Sequence, residues 1–216
     1  MATDVLDVPS PVVRSRRATV VLLSLTALVA LVFVAAAALP YFLSSSYGPP
    51  EYAPRRGWLL LHIIGGMIAL LTGPVQLWFG LADRAMEWHR RMGIGYMIGV
   101  AIGSLAAFYL STHTDFGWVF GAGLFALAMA WVTTTTLAYL AIRRSLIDQH
   151  REWMIRSYVV TFAFVTFRII QPALQAAHIG TPFEQLAVAA WGCWAVPLLV
   201  TELVIQGRKV LALRAD

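Results

Sequence analysis

Residues 150–178 read HREWMIRSYVVTFAFVTFRIIQPALQAAH. The stretch begins charged and aromatic (His150, Arg151, Trp153, Arg156, Tyr158). It then runs apolar for the thickness of a bilayer, with one full charge, Arg168, inside the run. A helix crosses the hydrocarbon layer with roughly 20 mostly apolar residues, so this segment reads as a membrane span. Helical spacing puts Thr161, Arg168, Gln171 and Gln175 close to one face. A charge at membrane depth costs about 3 kcal/mol and marks a functional site by default. The remainder of the chain must supply that face with partners.

Composition agrees. The chain has 216 residues, of which 59% are hydrophobic and 12% charged, with a mean hydropathy of +0.72. Soluble domains are about 25% charged, so a soluble fold is excluded. The net charge of +5 does not point to nucleic acid, because the basic residues cluster at the ends of apolar runs. One cysteine, Cys193, precludes an intrachain disulfide and makes a thiolate metal site a poor reading.

The predicted architecture is all-α, an integral membrane bundle of about six transmembrane helices. The spans are expected at about 18–43, 58–80, 93–112, 118–141, 155–177 and 185–206, between a disordered tail at 1–17 and a second tail at 207–216. The first apolar run is longer than the roughly 7–15 residues of a signal-peptide core and reads as an uncleaved span facing lipid. Gly65, Gly66, Ala69 and Gly73 narrow the second span. Gly95, Gly99 and Gly103 form a small-residue stripe on the third. The threonines at 133–136 are expected to bond back to their own helix.

With the N-terminus inside, 13 of the 16 Lys and Arg fall on the inner side. Only Arg55 and Arg56 lie outside, and Arg168 lies within a span. That bias predicts both termini in the cytoplasm and a multi-pass protein of the inner or plasma membrane, with the lipid bilayer as its first partner. A weak repeat relates His89-Arg90-Arg91 before Tyr96 to His150-Arg151 before Tyr158.

The topology sorts the five histidines into two layers. His89 and His150 lie at the inner ends of the third and fifth spans, and His62, His113 and His178 near the outer ends of the second, third and fifth. Axial imidazoles from two helices at one depth are what a transmembrane haem b requires. His89 and His150 are the candidate inner pair, and His62 is a candidate ligand or quinone contact. Arg90, Arg151 and Arg156 are candidates for pairing with propionates or lipid headgroups. His113 and His178 read as solvated loop residues. Arg168 either snorkels outward on its long stem or faces inward, where Asp115, Glu184 and His62 are its candidate partners and Glu202 is at the wrong end. No HExxH spacing and no phosphate-binding glycine loop is present, so the catalytic residues, if any, stay unassigned.

HRRMG at 89–93, HREWMIRSY at 150–158, GPVQLW at 73–78 and Arg168 ten residues after Tyr158 resemble a bacterial family of predicted membrane proteins of unknown function. The resemblance covers roughly residues 58–172. It implies that His62, His89, His150, Arg156 and Arg168 belong to a shared pattern, and it implies no activity. More distantly, the chain is similar to six-span di-haem b-type cytochromes, whose ligands come from four consecutive central helices. Here the fourth span has no histidine, which leaves the inner pair.

Two functions are therefore expected. One is a haem b electron-transfer protein with a quinone or another redox partner. The other is a non-enzymatic small-solute or anion transporter, or an accessory subunit, with a polar cavity centred on Arg168, Gln171 and Gln175.

Overall fold

The computed structural model describes residues 11–82 and 85–212. Those residues form helices and loops with no strand. They run as α1 (Pro11–Phe33), a wide π-turn (Val34–Ala38), α2 (Pro40–Leu43), a 3-10 helix (Pro50–Arg55), α3 (Arg56–Ala82), α4 (Met86–Thr112), α5 (Trp118–Arg143), α6 (Ile147–Thr161), α7 (Ala163–Ala176) and α8 (Pro182–Ala212). Six segments are long and apolar enough to cross a membrane, namely Ala18–Leu43, Pro50–Ala82, Met86–Thr112, Trp118–Arg143, Ile147–Ala176 and Pro182–Leu211.

The helices run past the expected bounds. The sequence places a disordered tail at 1–17, but α1 begins at Pro11; residues 1–10 lie outside the described region. Likewise α8 continues to Ala212, six residues beyond the expected end of the sixth span, and residues 213–216 lie outside. The starts of α4 and α6 also lie well ahead of the expected spans. There MEWHRRM and IDQHREW are charged but helical. Leaving the hydrocarbon does not stop a helix made of good helix formers such as Met, Glu and Arg. His89 and His150 therefore stand in the first turns of helices rather than in connectors.

The packing is inverted relative to a soluble bundle. Leu22, Leu25 and Leu28 of α1, Leu105 of α4 and Leu199 and Leu203 of α8 face outward, while Ser104, Ser157, Thr161 and Gln76 are buried. Lipid is as apolar as leucine, so the interior is selected by close packing and hydrogen bonding rather than by hydrophobicity. The closest approach is between α3 and α4. A Cβ at Gly65 would sit 2.5 Å from the Gly99 carbonyl oxygen, and one at Gly99 would sit 2.9 Å from the Gly65 carbonyl oxygen. Gly103 faces the Trp131 ring, whereas Gly95 meets nothing. The expected stripe is thus used at two of its three positions.

A chain of hydroxyls ties α4, α5 and α6 together at mid-bundle. Tyr96 Oη lies 2.8 Å from both Ser157 Oγ and Thr161 Oγ1. Trp131 Nε1 donates to Thr161 Oγ1 at 2.7 Å, and Thr135 Oγ1 lies 2.7 Å from Ser157 Oγ. Thr134 bonds only to its own helix, as expected, but Thr135 also reaches across to α6. A polar group unpaired in a low-dielectric interior is costly, so this network fixes the register of three helices. Thr161 also bonds back to the Ser157 carbonyl at 2.9 Å and Thr166 to the Phe162 carbonyl at 3.2 Å. Such back-bonding bends helices, and the fifth span is broken at Phe162, between α6 and α7.

The two ends of the bundle differ. One, the basic end, carries the starts of α4 and α6. The other, the cap end, carries the 44–55 segment and the 113–117 loop. Arg56 holds the cap by donating to the carbonyls of Tyr41 (2.5 Å), Ser44 (2.6 Å), Ser45 (2.8 Å) and Tyr47 (3.4 Å). Arg55 pairs with Asp115 at 2.7 Å. Both arginines, read from sequence only as outer charges, build this cap.

Candidate functional site

Beneath the cap lies a cavity of about 620 Å³. All six membrane-length segments contribute to its wall. It runs from Glu51 and Tyr52 in the cap down to Leu70 of α3, Trp131 of α5 and Cys193 of α8. Gly66 faces the cavity and the Phe164 ring, where a Cβ would come within 2.7 Å of the ring edge. The walls are mostly aliphatic and aromatic. A few polar side chains converge on them, namely Tyr41, Glu51, Tyr52, His62, Arg168 and Gln171. Apolar cavities of about 300–1,000 Å³ with a few placed polar groups are the usual form of small-molecule sites.

Arg168 stands on α7, lines this cavity and donates from Nη2 to Tyr41 Oη at 3.3 Å. None of the three expected partners is taken. Asp115 is held by Arg55. Glu184 accepts from the Thr181 N–H (2.7 Å) and Oγ1 (2.8 Å), a capping box that starts α8 with Pro182 at its first position. His62 instead uses Nδ1–H to reach the Gly103 carbonyl at 2.9 Å. Because a carbonyl only accepts, Nδ1 carries the proton and the neutral ring keeps its lone pair on Nε2. The ring stacks on Phe164 at 5.0 Å. Gln171 lines the cavity beside Arg168. Gln175, one turn on, is exposed and is not part of the lining, because α7 has by then passed the cavity mouth. Thr161 points into the hydroxyl network.

Tyr41 is the residue that sequence reading missed. It closes the first apolar run, where an aromatic is ordinary interfacial composition, yet it is only 5% exposed. The π-turn before Pro40 places it. Leu39 N–H bonds to the Val34 carbonyl five residues back, a widened turn that accommodates the proline ring.

At the basic end His89 and His150 do meet. Their ring centroids are 6.3 Å apart and the planes nearly perpendicular. His150 Nδ1–H donates to the Ala138 carbonyl at 2.9 Å, which directs Nε2 away from that bond. His89 Nδ1 is buried with no hydrogen-bond partner among the described residues. Two imidazoles this close could both hold a group placed between them, and a backbone bond behind a ring is the usual support for a ligand. Gln76 reaches the His89 carbonyl at 2.8 Å, and Gly80 faces His89. The large cavity touches neither histidine.

Around the pair, Arg90 is exposed and Arg151 lies 3.5 Å from the Gly80 carbonyl. Arg156 is committed elsewhere. Its Nε donates to Glu202 at 2.7 Å, its Nη1 lies 3.6 Å from Glu152, and its guanidinium covers Trp153 at 4.6 Å. Its charge is already met by carboxylates, which takes it away from a propionate or headgroup. No group of three or more metal-ligating side chains occurs among the described residues. His113 and His178 are exposed, at loop positions.

The fold and its sites define a multi-pass, all-helical membrane protein with an apolar-walled cavity. The chain belongs to the family described as "Predicted membrane protein (DUF2306)", whose model matches residues 59–205. That match runs from within α3 to within α8 and leaves out α1, α2 and the 44–55 segment of the cap, so Tyr41 lies outside it. No curated protein and no solved structure matches the chain.

Proposed function

We propose that this protein binds a small, mostly apolar molecule with a polar head in the cavity beneath the cap, as a membrane receptor or carrier. The observation that carries this is the cavity itself, apolar-walled and drawn from every span, with Arg168 opening onto it. The basic-residue bias supports an orientation with this cavity in the outer half of the cell membrane. Apolar walls give a membrane-dissolved molecule little advantage over lipid, because its tail is already out of water. Shape and the polar corner must then provide the selectivity. The test is substitution of Ala128, a buried wall residue of α5, by phenylalanine. Organic extracts of purified wild-type protein are expected to contain one small molecule near one per chain. Extracts of a folded Ala128→Phe variant are expected to lack it. The same molecule at the same ratio in both would refute the reading.

The histidine pair supports a second reading, a haem b held by His89 and His150. The group would supply one-electron transfer, and the chain would supply two imidazoles and a backbone bond fixing one of them. A quinone beside His62 would be its partner. Protein expressed with added haem precursor is then expected to show sharp reduced-minus-oxidised bands that His150→Ala abolishes. A flat spectrum from folded, haem-supplied protein would rule this reading out.

A further inference from the structure

Arg168, Tyr41 and Gln171 form a corner of the cavity with hydrogen-bond donors to spare. Arg168 has five N–H groups, and among the described residues its side chain makes one hydrogen bond, to Tyr41 Oη. Tyr41 accepts there, so its own O–H proton is unspent, and Gln171 bonds to nothing among the described residues. The guanidinium has no carboxylate within salt-bridge distance among those residues. The other polar lining groups do not fill the gap. His62 Nδ1 is directed to Gly103, and among the described residues no hydrogen bond or ion pair joins His62, Glu51 or Tyr52 to the three donors. Arg168 is exposed rather than buried, but a cation at membrane depth is still costly unless it is paired. The contrast with Arg156 is internal to the chain. That guanidinium, at the basic end, has two carboxylates and an aromatic face.

We propose that the ligand of this cavity is a single-chain amphiphile with a monoanionic carboxylate head. The carboxylate accepts from Arg168, Tyr41 and Gln171, and its chain extends toward Leu70 and Trp131. One unpaired positive charge calls for one negative charge. A dianionic head would leave one negative charge unmatched, and a neutral head such as a quinone would leave the guanidinium unmatched. The planar guanidinium suits a planar carboxylate, which it can meet with two parallel N–H bonds. This inference rests on the cavity-binding reading above and names the class of its ligand.

The test uses the full chain in detergent, titrated with the fluorescent polyene fatty acid parinaric acid and with the alcohol of the same chain. The acid is expected to bind about 10–100-fold more tightly than the alcohol, the worth of one or two charge-assisted hydrogen bonds. Arg168→Gln should remove that preference while leaving alcohol affinity within about twofold, since the apolar walls are untouched. Arg168→Lys should keep part of it, because charge remains and the planar fork is lost. Equal binding of acid and alcohol by the wild-type protein would overturn the carboxylate assignment and leave the cavity reading standing. Binding of neither probe would overturn both. The ratio measured on wild-type protein decides the matter even if Arg168→Gln does not fold.

Discussion

Gly65→Val abolishes the folded bundle, or leaves it at least about 3 kcal/mol less stable, the upper range for overpacking a closed core. The atoms that a side chain at Gly65 would strike are backbone, the Gly99 carbonyl oxygen and the Gly103 Cα, at 2.5 and 2.7 Å from the first carbon alone. Backbone cannot rotate aside as a side chain can, so α3 and α4 must separate. Separation also breaks the hydrogen bond by which His62 of α3 reaches the Gly103 carbonyl of α4. Gly95→Val is the control, since a Cβ there meets nothing within 4 Å. Valine at position 95 should leave stability unchanged or slightly raised, because glycine is the weaker helix former. Monodispersity and thermal unfolding in detergent measure both. Equal losses from the two variants would contradict the α3–α4 interface.

Arg156→Met is expected to destabilise by about 2 kcal/mol. Breaking a fully buried ion pair costs more, about 3–5 kcal/mol. Here Arg156 is 6% exposed, but Glu202 is 41% and Glu152 25% exposed, so water recovers part of the loss. The variant leaves Glu152 with Lys209 at 2.8 Å and Glu202 with only Gln206 at 2.7 Å. Removing both partners, in Arg156→Met/Glu202→Met, should regain much of the stability, since no charge is then left unmatched. A double-mutant cycle on thermal unfolding reads the coupling. A coupling near zero would mean that α6 and α8 are not joined by this pair.

Much of the architecture was legible because a bilayer imposes length and hydropathy on each span, and six such runs stand out from composition alone. The ends were less legible. The segments 86–92 and 147–154 look like connectors because they are charged, yet they continue helices beyond the hydrocarbon layer. Within the cavity, His62, Arg168 and Gln171 could be picked out because polar residues are conspicuous inside apolar runs. Tyr41, Tyr52 and Trp131 could not, because an aromatic in a wall, at an interface and in a core carries the same local signature. Gln175 shares the helical face of Arg168 but lies past the point where α7 meets the cavity. The pairing of Arg156 with Glu202 crosses 46 residues of sequence, and no local pattern announces it.

The most direct measurement is a crystal structure of the protein grown from a lipid phase without added ligand. The account predicts elongated density in the cavity under the cap, its head within hydrogen-bond reach of the Arg168 guanidinium and the Tyr41 hydroxyl. A cavity closed by the rings of Phe164 and Phe167, or holding only ordered water around Arg168, would contradict it.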